Sequence, residues 1–551
     1  MSATEAPEAP DEAPTRKAAA SGAPIERVCI SISGARSAIA SKTRSRQINP
    51  LGYEVTLLSG VMLNLGQLMG AGIYSVPGSI LNSVGSIGLL LAFWLLGSVF
   101  AFAGLSLYSE FASMFPNRSG GEVVYLEMSY PRPRFLVPTM FAITAVLLSF
   151  SATNSIIFAQ YFLTILDIPV TSHRQTVTAL AVCTVAIAVV GLSTKWSLRA
   201  VNILTALKLA SASFMVVAGV AVLAGVTRVQ DPYANFHNIW AGSTTNLNSL
   251  ATAFVKINYS FVGWHNAFNL LGEVRGGDPA RTVRRSGAIA LWIATALFFL
   301  INVAYVAAVP REEIRRSGQL IAVLFFRHVF GDSWGAKVLP AMVALSCFGN
   351  LTAGQARVIR EVARQGLLPY PAFFASTKPF GTPLAPVVIK YVLTVLVIVA
   401  VPGKDAFNFL LDLASYPNLV FNAALAVGLW LVRKRRALEG DSPSGYKAKN
   451  VYVFLFLLSA ILLLVMPWVP PEPGHGDVSF WHATCSLTLF LMQLCALYYY
   501  VWIKWLPRLG GYTVVEEVKE LDDGARTTRL TRRYHKGGEE EPLLADASSR
   551  Q

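Results

Sequence analysis

Charged residues are scarce in this chain: only 14% of its 551 residues are Asp, Glu, Lys or Arg, while 54% are hydrophobic. Soluble domains carry about 25% charged residues, so this composition excludes an ordinary globular enzyme. The runs 87–108 and 291–309 contain no charged residue. Each is close to the roughly 20 apolar residues that a helix needs to cross the hydrocarbon core. The sequence therefore predicts an integral membrane protein.

Cysteine is also rare, with five residues in the chain. Cys29 lies in a polar N-terminal segment and the other four lie inside apolar runs, so no extracellular disulfide framework is indicated. Residues 1–50 contain no apolar core segment, and we therefore expect no signal peptide. Nucleotide-binding loops, metal-ligand clusters and nucleophile elbows are missing too, so we expect no catalytic residue, no metal and no cofactor.

Positive charge is in excess, and the formal net charge is +14. The basic residues lie in short loops between apolar runs rather than on one compact face, so no nucleic-acid partner is expected. Apolar windows predict about twelve membrane-spanning helices. They lie near residues 55–81, 87–110, 135–165, 175–192, 200–225, 247–272, 286–309, 334–356, 386–401, 406–432, 450–468 and 480–504.

Loops that follow the even-numbered spans carry most of the arginine and lysine, for example 433–436 after span ten. Because positive loops stay on the cytoplasmic side, we expect both tails to be cytoplasmic. We divide the chain into a disordered N-terminal tail (1–50), a twelve-helix domain (51–505) and a C-terminal tail (506–551) whose charged composition also predicts disorder. The amphipathic outer stretch 319–330 is either a gating helix or a linker on the membrane surface.

Two predicted spans are interrupted near their middle. The first contains Gly66, Gly70, Gly72 and Pro77 inside an otherwise apolar run. Glycine and proline disfavour a continuous helix there by about 1 and 3 kcal/mol. The sixth contains the polar, glycine-interrupted string 259–266, Tyr-Ser-Phe-Val-Gly-Trp-His-Asn. Close packing of small residues would explain one such string, but paired breaks five spans apart indicate the binding site of an inverted-repeat transporter.

Broken spans of this kind suit a ligand that carries both charges. Free amides at a helix N-terminus attract a carboxylate, and free carbonyls at a helix C-terminus attract an ammonium group. A break at membrane depth must also face a cavity, because unsatisfied backbone groups are too costly beside hydrocarbon. An amino acid has both groups, and we therefore predict amino acid transport.

Several short strings are more specific than this pattern. They are Gly-Ala-Gly-Ile-Tyr at 70–74, Tyr-Ser-Glu at 108–110, Ser-Gly-Gly-Glu at 119–122, Lys208 within span five, Ser-Cys-Phe-Gly-Asn at 346–350 and Arg-Gln-Gly-Leu-Leu-Pro at 364–369. Together they resemble the amino acid, polyamine and organocation superfamily, specifically its L-amino-acid transporter branch and most closely fungal high-affinity methionine permeases. The resemblance implies an all-α membrane protein with a leucine-transporter-type core, two inverted repeats of five helices, and two extra C-terminal helices.

The same resemblance implies roles for residues of span one. The backbone amides of Ala71, Gly72 and Ile73 would hold the substrate carboxylate. The Leu68 carbonyl would accept a hydrogen bond from the substrate ammonium group, and Gly70 belongs to the same substrate-binding segment. We therefore expect this segment to form half of the substrate site.

In span six, the resemblance places the Tyr259 and Val262 carbonyls at the ammonium group and the Tyr259 ring over the site as a gate. Relatives often have two glycines where this chain has Val262 and Gly263, so we expect a narrower or reshaped pocket. Two readings of His265 remain open. Together with Asn266 it contacts the substrate side chain, or it is satisfied inside the helix bundle.

Lys208 lies nine residues beyond Arg199, which places it about 13 Å along the fifth helix and deep in the bilayer. The resemblance places this lysine beside the first broken helix, where sodium-driven relatives bind sodium. We expect Lys208 to couple reversible protonation to the opening and closing of span one. The alternative is a lysine whose ammonium reaches back to the interface.

Several relatives join a heavy subunit through a cysteine between spans three and four. Residues 167–174 contain none, so we expect no disulfide-linked heavy subunit. Glu110 and Glu122 are expected to close an inner gate by pairing with Arg118 or with the arginines of segment 357–364, unless they form only solvated surface pairs.

The leading hypothesis is a secondary active transporter of neutral L-amino acids, methionine foremost, coupled to protons and embedded in a lipid bilayer. We expect it in the plasma membrane, with a vacuolar or endosomal membrane as the alternative. A nutrient receptor with the same fold is the competing class. Tails of about 50 residues without a recognisable folded module favour a carrier.

Overall fold

The structure of the chain is a computed structural model. The residues that it describes are 56–70, 72–116, 120–192, 194–274, 277–331, 335–352, 355–376, 382–400, 406–440, 445–469, 483–520, 526–534 and 540–542. The predicted N-terminal tail therefore lies outside the described residues.

The described residues are mostly helical. In chain order the α-helices are α1 (Leu57–Leu68), α2 (Gly72–Ser75), α3 (Pro77–Val84), α4 (Ile87–Met114), α5 (Glu122–Ser129), α6 (Leu136–Leu147), α7 (Ala152–Ile165), α8 (Ser172–Leu192), α9 (Thr194–Leu223), α10 (Leu247–Ser260), α11 (Pro279–Ala308), α12 (Arg311–Arg316), α13 (Ile321–Phe330), α14 (Gly335–Thr352), α15 (Gln355–Arg364), α16 (Pro371–Ala375), α17 (Leu384–Ala400), α18 (Ala406–Glu439), α19 (Asn450–Val465), α20 (Ala483–Tyr499) and α21 (Leu506–Gly510). Short 3₁₀ segments are Ala234–Phe236, Asn266–Glu273 and Met466–Trp468, and Tyr500–Trp505 is a π-helix.

Membrane-spanning helices dominate this fold. Nine helical segments within the described residues are long and apolar enough to cross a membrane, among them Ile87–Met114 and Pro279–Ala308. Three shorter apolar helices are Ile321–Phe330, Pro340–Leu351 and Leu384–Ala400. The prediction of a helical membrane protein is confirmed.

Helix α4 positions the middle of span six. It begins after Ser86, whose hydroxyl accepts a hydrogen bond from the first turn, and continues for 28 residues. Gly97 and Gly104 lie where span six crosses it. A Cβ atom at Gly104 would come within 2.6 Å of the Trp264 ring, and one at Gly97 would come within 3.1 Å of the Phe261 ring. Small residues therefore let the two segments approach closely.

The third predicted span is interrupted, although the sequence analysis treated 135–165 as continuous. Helix α6 ends at Leu147 and α7 begins at Ala152. The N–H of Ser151, in the gap, donates to the Thr394 hydroxyl at 3.0 Å. A side chain from α17 thus satisfies a backbone group that the interruption leaves open. This interruption contains neither glycine nor proline, so the span gave no local signal of it.

The outer stretch 319–330 contains helix α13, and that helix is packed into the bundle. Its residues Ile321, Phe325 and Phe326 are fully buried. The Tyr161 hydroxyl lies 3.0 Å from the carbonyl oxygen of Gln319, just before this helix, and 3.1 Å from that of Tyr74 in span one. The expectation of a linker resting on the membrane surface is therefore wrong.

The C-terminal tail contains an antiparallel sheet of strands β1 (Tyr512–Glu520), β2 (Arg526–Tyr534) and β3 (Glu540–Pro542), ordered β1-β2-β3. The strands β1 and β2 pair in register from Tyr512↔Tyr534 to Glu520↔Arg526. Leu530 is buried in a cluster with residues of α15, including Ile359 and Val362. The backbone of Leu530 approaches Gly366, whose φ is +78°. The prediction of disorder is wrong for these strands.

Candidate functional site

The first span is interrupted where the sequence predicted. Helix α1 ends at Leu68, α2 begins at Gly72, and Ala71 lies outside the described residues. The Gly70 N–H donates to the Leu68 carbonyl at 2.8 Å, which is a local turn rather than a helical bond. Helix α2 then continues towards α3, because the Val76 N–H donates to the Gly72 carbonyl at 3.0 Å. The interruption is thus confined to the segment between α1 and α2.

The sixth span is interrupted as well. Helix α10 ends at Ser260, a turn covers 261–265, and the chain continues as the 3₁₀ segment from Asn266. Gly263 in this turn has a φ of +127°, which side chains rarely tolerate. A Cβ atom at Gly263 would also lie 2.7 Å from the Gln67 side chain. Glycine is therefore required by both conformation and space.

The two interruptions contact each other inside the bundle. A Cβ atom at Gly72 would lie 2.5 Å from the hydroxyl oxygen of Ser260 and 2.9 Å from its Cα atom. On the other side of the break, Gly263 packs against Leu68. A Cβ atom added at Gly263 would lie 3.0 Å from the backbone N of Leu68. The start of α2 and the end of α10 are thus held together, as a site shared by the two spans requires.

Lys208 of α9 lies beside the first interruption. Its side-chain ammonium donates to the Gly66 carbonyl at 2.9 Å and to Oδ1 of Asn350 at 2.5 Å. Asn350 in turn donates to Asn154 Oδ1 at 3.3 Å. Lys208 is only 3% exposed, so its ammonium points into the bundle. The alternative of an ammonium that reaches the interface is wrong.

A second polar contact on the first interruption comes from α14. The Ser346 hydroxyl donates to the Met69 carbonyl at 3.2 Å. Met69 lies in the gap after α1, where carbonyls have no helical partner. Side chains from two other spans therefore satisfy carbonyls around this break.

The remaining residues predicted for the site lie on both breaks. Ile73 is buried in α2, and Tyr259 is half-buried in the last turn of α10. The Tyr259 carbonyl accepts a hydrogen bond from the Val262 N–H at 3.1 Å. Val262 itself is 42% exposed. The Leu68 and Tyr259 carbonyls thus lie in the last turns of α1 and α10, beside the two breaks.

His265, at the end of the sixth interruption, has a partner in the bundle. Its Nε2 atom lies 3.6 Å from Oε1 of Glu122, the first residue of α5. The same carboxylate oxygen accepts a hydrogen bond from the Tyr108 hydroxyl at 3.1 Å. The sequence predicts arginine partners for Glu122, either Arg118 or the arginines of α15. Arg118 lies outside the described residues, and the described partners of Glu122 are a histidine and a tyrosine.

Glu110 pairs with an arginine that the sequence analysis did not select for it. The Arg433 guanidinium of α18 donates to both carboxylate oxygens of Glu110, at 2.8 and 2.5 Å. The Ala448 N–H donates to the same carboxylate at 2.7 Å. Glu110 is 1% exposed, so this is a buried bidentate ion pair and not a solvated one.

The family model described as amino acid permease matches residues 55–491. The chain belongs to the amino acid permease family. Among similar proteins, the high-affinity methionine permease of Saccharomyces cerevisiae is 31% identical over 87% of this chain and 84% of its own length. The low-affinity methionine permease of the same yeast is 28% identical over 90% of this permease and 91% of its own length. The human cystine/glutamate transporter is 29% identical over 75% of this permease and 79% of its own length.

Family membership establishes the broad activity. This permease is an integral membrane protein that transports amino acids, and it is not an enzyme. The resemblance to fungal methionine permeases is confirmed by the two yeast proteins. The residues that bind the substrate stay a prediction.

Two buried lysines of this permease were missed by the sequence analysis. Lys256 of α10 is 0% exposed, and Lys390 of α17 is 6% exposed. The Lys390 ammonium donates to the Leu351 carbonyl of α14 at 3.4 Å. The available signal was a lysine inside an apolar run, which marks a functional candidate in a membrane protein.

Proposed function

We propose that this permease carries neutral L-amino acids, methionine foremost, by alternating access around the broken spans one and six, driven by protons. The observation that supports this most is the contact between the breaks, where Gly72 at the start of α2 lies against Ser260 at the end of α10. A helix N-terminus and a helix C-terminus therefore meet in the bundle. That pairing suits a ligand with one carboxylate and one ammonium group.

The carboxylate is proposed to bind the backbone amides at the start of α2, from Ala71 to Ile73, with Gly70 on the flank. The ammonium group is proposed to bind the carbonyls of Leu68, Tyr259 and Val262. Leu68 and Tyr259 are suitable because both carbonyls lie in the last turn of a helix that ends at a break. The required glycine at 263 keeps the two sets of groups close together, because its backbone lies against Leu68.

The choice of methionine is supported by similarity rather than by geometry. Two yeast relatives are named as methionine permeases. A human relative of similar identity is named as a cystine/glutamate transporter. Overall identity therefore leaves the side-chain class undecided, and the apolar and aromatic residues Ile73, Tyr74 and Phe261 beside the breaks favour a neutral side chain.

Coupling to protons is proposed to depend on Lys208. Its protonated side chain bridges the Gly66 carbonyl before the first break and the Asn350 side chain of α14. A neutral amine has one donor fewer and no charge, so loss of the proton weakens the bridge. Protonation then biases how firmly span one is held to spans five and eight.

We also propose a location and an orientation: the permease works in the plasma membrane, with both tails in the cytoplasm. The domain from 51 to 505 then carries transport, between tails 1–50 and 506–551. No disulfide-linked heavy subunit is proposed, because residues 167–174 contain no cysteine.

The test is uptake of a panel of labelled amino acids by transport-deficient cells that express the permease. We expect saturable methionine uptake that is inhibited by competing neutral apolar amino acids. This uptake should rise as the external pH falls. Competition by lysine or glutamate, but not by methionine, would reject the substrate class. Binding of methionine without any uptake would favour the nutrient receptor instead.

A further inference from the structure

The cluster of Tyr108, Glu122 and His265 lies outside the contact between the two breaks. His265 Nε2 is 3.6 Å from Glu122 Oε1, and the two side chains are 26% and 13% exposed. The Tyr108 hydroxyl donates to the same Glu122 oxygen at 3.1 Å. A carboxylate thus lies between a phenol from α4 and an imidazole from the end of the sixth break.

The two sides of this pair belong to different parts of the fold. Glu122 begins α5, and Gly121 before it has a φ of +49° and lies against the Asn269 side chain. His265 directly precedes the 3₁₀ segment that contains Asn269, which forms the second half of span six. The start of α5 therefore rests on this half of span six and is joined to it by the pair.

Aromatic packing fixes the direction of the imidazole. The His265 ring lies 5.9 Å from the Tyr108 ring and 5.1 Å from the Trp264 ring, measured between centroids. The Tyr108 and Trp264 rings are themselves 4.9 Å apart in an edge-to-face arrangement. The imidazole is held between two packed rings, so its contact with Glu122 does not depend on a mobile side chain.

The helices packed against α5 and against the second half of span six carry other groups that titrate or are charged. Tyr108 and Tyr125, whose rings lie 5.7 Å apart, come from α4 and α5. Arg284 of α11 lies over the Tyr446 ring at 4.2 Å. From α1, the facing residue Asn64 accepts a hydrogen bond from the Ala267 N–H at 3.1 Å and does not titrate. The carboxylate of Glu110, in α4, and the guanidinium of Arg433, in α18, bind each other.

We infer that His265 and Glu122 form the inner gate of the permease, and that protonation of His265 holds this gate shut. The inference rests on the proposed alternating access, in which the second half of span six must leave α5 before substrate is released. Histidine is the side chain that changes charge between about pH 5 and pH 8. With a charged imidazole the contact is an ion pair, and with a neutral imidazole it is at most a weak hydrogen bond.

This gate would give the transporter a feedback that Lys208 does not supply. Protons carried inward accumulate on the release side, and a protonated His265 then slows the opening towards that side. The pair acts on the rate of release and not on the fit of the substrate. Acidification of the release side should therefore lower the maximal rate and leave the KM for external substrate nearly unchanged.

The test uses purified full-length permease in vesicles loaded with unlabelled methionine, and follows exchange with external labelled methionine at fixed external pH. The luminal pH is varied from about 5.5 to about 8, the range in which histidine titrates. We expect wild-type exchange to fall severalfold as the lumen of the correctly oriented fraction is acidified. His265→Gln and Glu122→Gln should both exchange at the fast rate at every luminal pH, and the double variant should behave like either single one.

A matched control is a second histidine and carboxylate pair. His328 and Glu313 lie 2.8 Å apart, and both are partly exposed. His328→Gln should keep the wild-type dependence on luminal pH. Glu122→Asp, which retains the charge, should restore part of the dependence that Glu122→Gln removes. A purely structural role for His265 would lower exchange at all pH values instead.

The inference is overturned if His265→Gln keeps the wild-type profile, or if the profile vanishes in His265→Gln but persists in Glu122→Gln. If these variants do not reach the membrane, Tyr108→Phe replaces them, because it removes the hydroxyl that shares the Glu122 oxygen with His265. The carboxylate then has one donor fewer and pairs more strongly with a charged His265, so the fall in exchange should begin at a higher luminal pH. An unchanged midpoint in Tyr108→Phe overturns the inference, and an upward shift supports it. If the wild-type permease exchanges methionine without any dependence on luminal pH, the inference about the gate is wrong and the proposed function still holds. Wild-type permease that moves no amino acid contradicts the proposed function.

Discussion

The two broken spans are stabilised in different ways. At the first break, carbonyls are satisfied by side chains of other spans, because Lys208 donates to Gly66 and Ser346 donates to Met69. At the sixth break, the turn satisfies itself, since the Val262 N–H donates to the Tyr259 carbonyl at 3.1 Å. Carbonyls at the first break are thus satisfied by side chains of other spans, whereas the Tyr259 carbonyl at the sixth break is satisfied within its own turn.

This difference indicates which break can respond to a proton. A turn with its own hydrogen bonds keeps its shape wherever its neighbours move. A break held by Lys208 and Ser346 changes its environment when α9 or α14 moves, or when the lysine loses its charge. We therefore expect changes at the first break to alter coupling, and changes at the sixth break to alter the shape of the site.

The largest effect is expected for Gly72→Val, where the breaks touch. The new Cβ atom would lie 2.9 Å from the Cα atom of Ser260, and backbone cannot yield as a side chain can. Uptake should be abolished while the protein still reaches the membrane. The matched control is Gly277→Val, because a Cβ atom there would meet nothing within 4 Å. Normal uptake by membrane-resident Gly72→Val protein would reject the site at span one.

Lys208→Ala is the next largest change and concerns coupling. It removes the donor to Gly66 and Asn350, and hydrogen bonds from a charged group are worth about 1.5–3 kcal/mol. Accumulation against a gradient and its rise at low external pH should be lost, while exchange is retained. Lys337→Ala, at an exposed lysine that pairs with Asp167, should leave both properties unchanged. Unchanged pH-dependent accumulation by Lys208→Ala would place the proton role on another residue.

Gly263→Ala should have an intermediate effect because the sixth break depends on local conformation. A side chain at a φ of +127° costs about 1–3 kcal/mol, and the new atom would also meet Gln67. Uptake should fall by roughly tenfold, since 1.4 kcal/mol is a factor of about ten, with its pH dependence intact. Gly225→Ala introduces a Cβ at a φ of +73° in open space and should leave uptake near the wild-type rate. A Gly263→Ala protein that loses pH dependence but keeps its rate would contradict the distinction between the breaks.

Ser346→Ala should have the smallest effect. It removes one neutral hydrogen bond to the first break, worth about 0.5–1.5 kcal/mol. Uptake should fall by less than about tenfold, and the pH dependence should shift because α14 also carries Asn350, the partner of Lys208. In the control Ser459→Ala, the lost hydroxyl donates to the Phe456 carbonyl of its own helix, its one partner within the described residues. Equal effects of the two serine changes would show that the first break does not need this tertiary contact.

Sequence alone was sufficient for features that depend on neighbouring residues. Long apolar runs predicted the membrane-spanning helices, and glycine or polar strings within two of these runs predicted where spans one and six break. The depth of Lys208 along its helix followed from the rise per residue. The interruption of span three was not predicted, because its residues 148–151 contain neither glycine nor proline. The N–H of Ser151 in this gap is satisfied by a side chain of α17, which is distant in the sequence.

Partners far apart in the chain were decided only by the tertiary structure. Glu110 and Arg433 are 323 residues apart, and many arginines in the loops were equally suitable partners by sequence. The contacts of His265 with Glu122 and Tyr108 were likewise decided by packing, because both partners lie on helices far from His265 in the chain. In the tail, Leu530 is buried against Ile359 and Val362 of α15, a contact between distant parts of the chain that its sequence did not indicate. Local chemistry sets where a helix can break, whereas the groups that stabilise the break depend on how the spans pack.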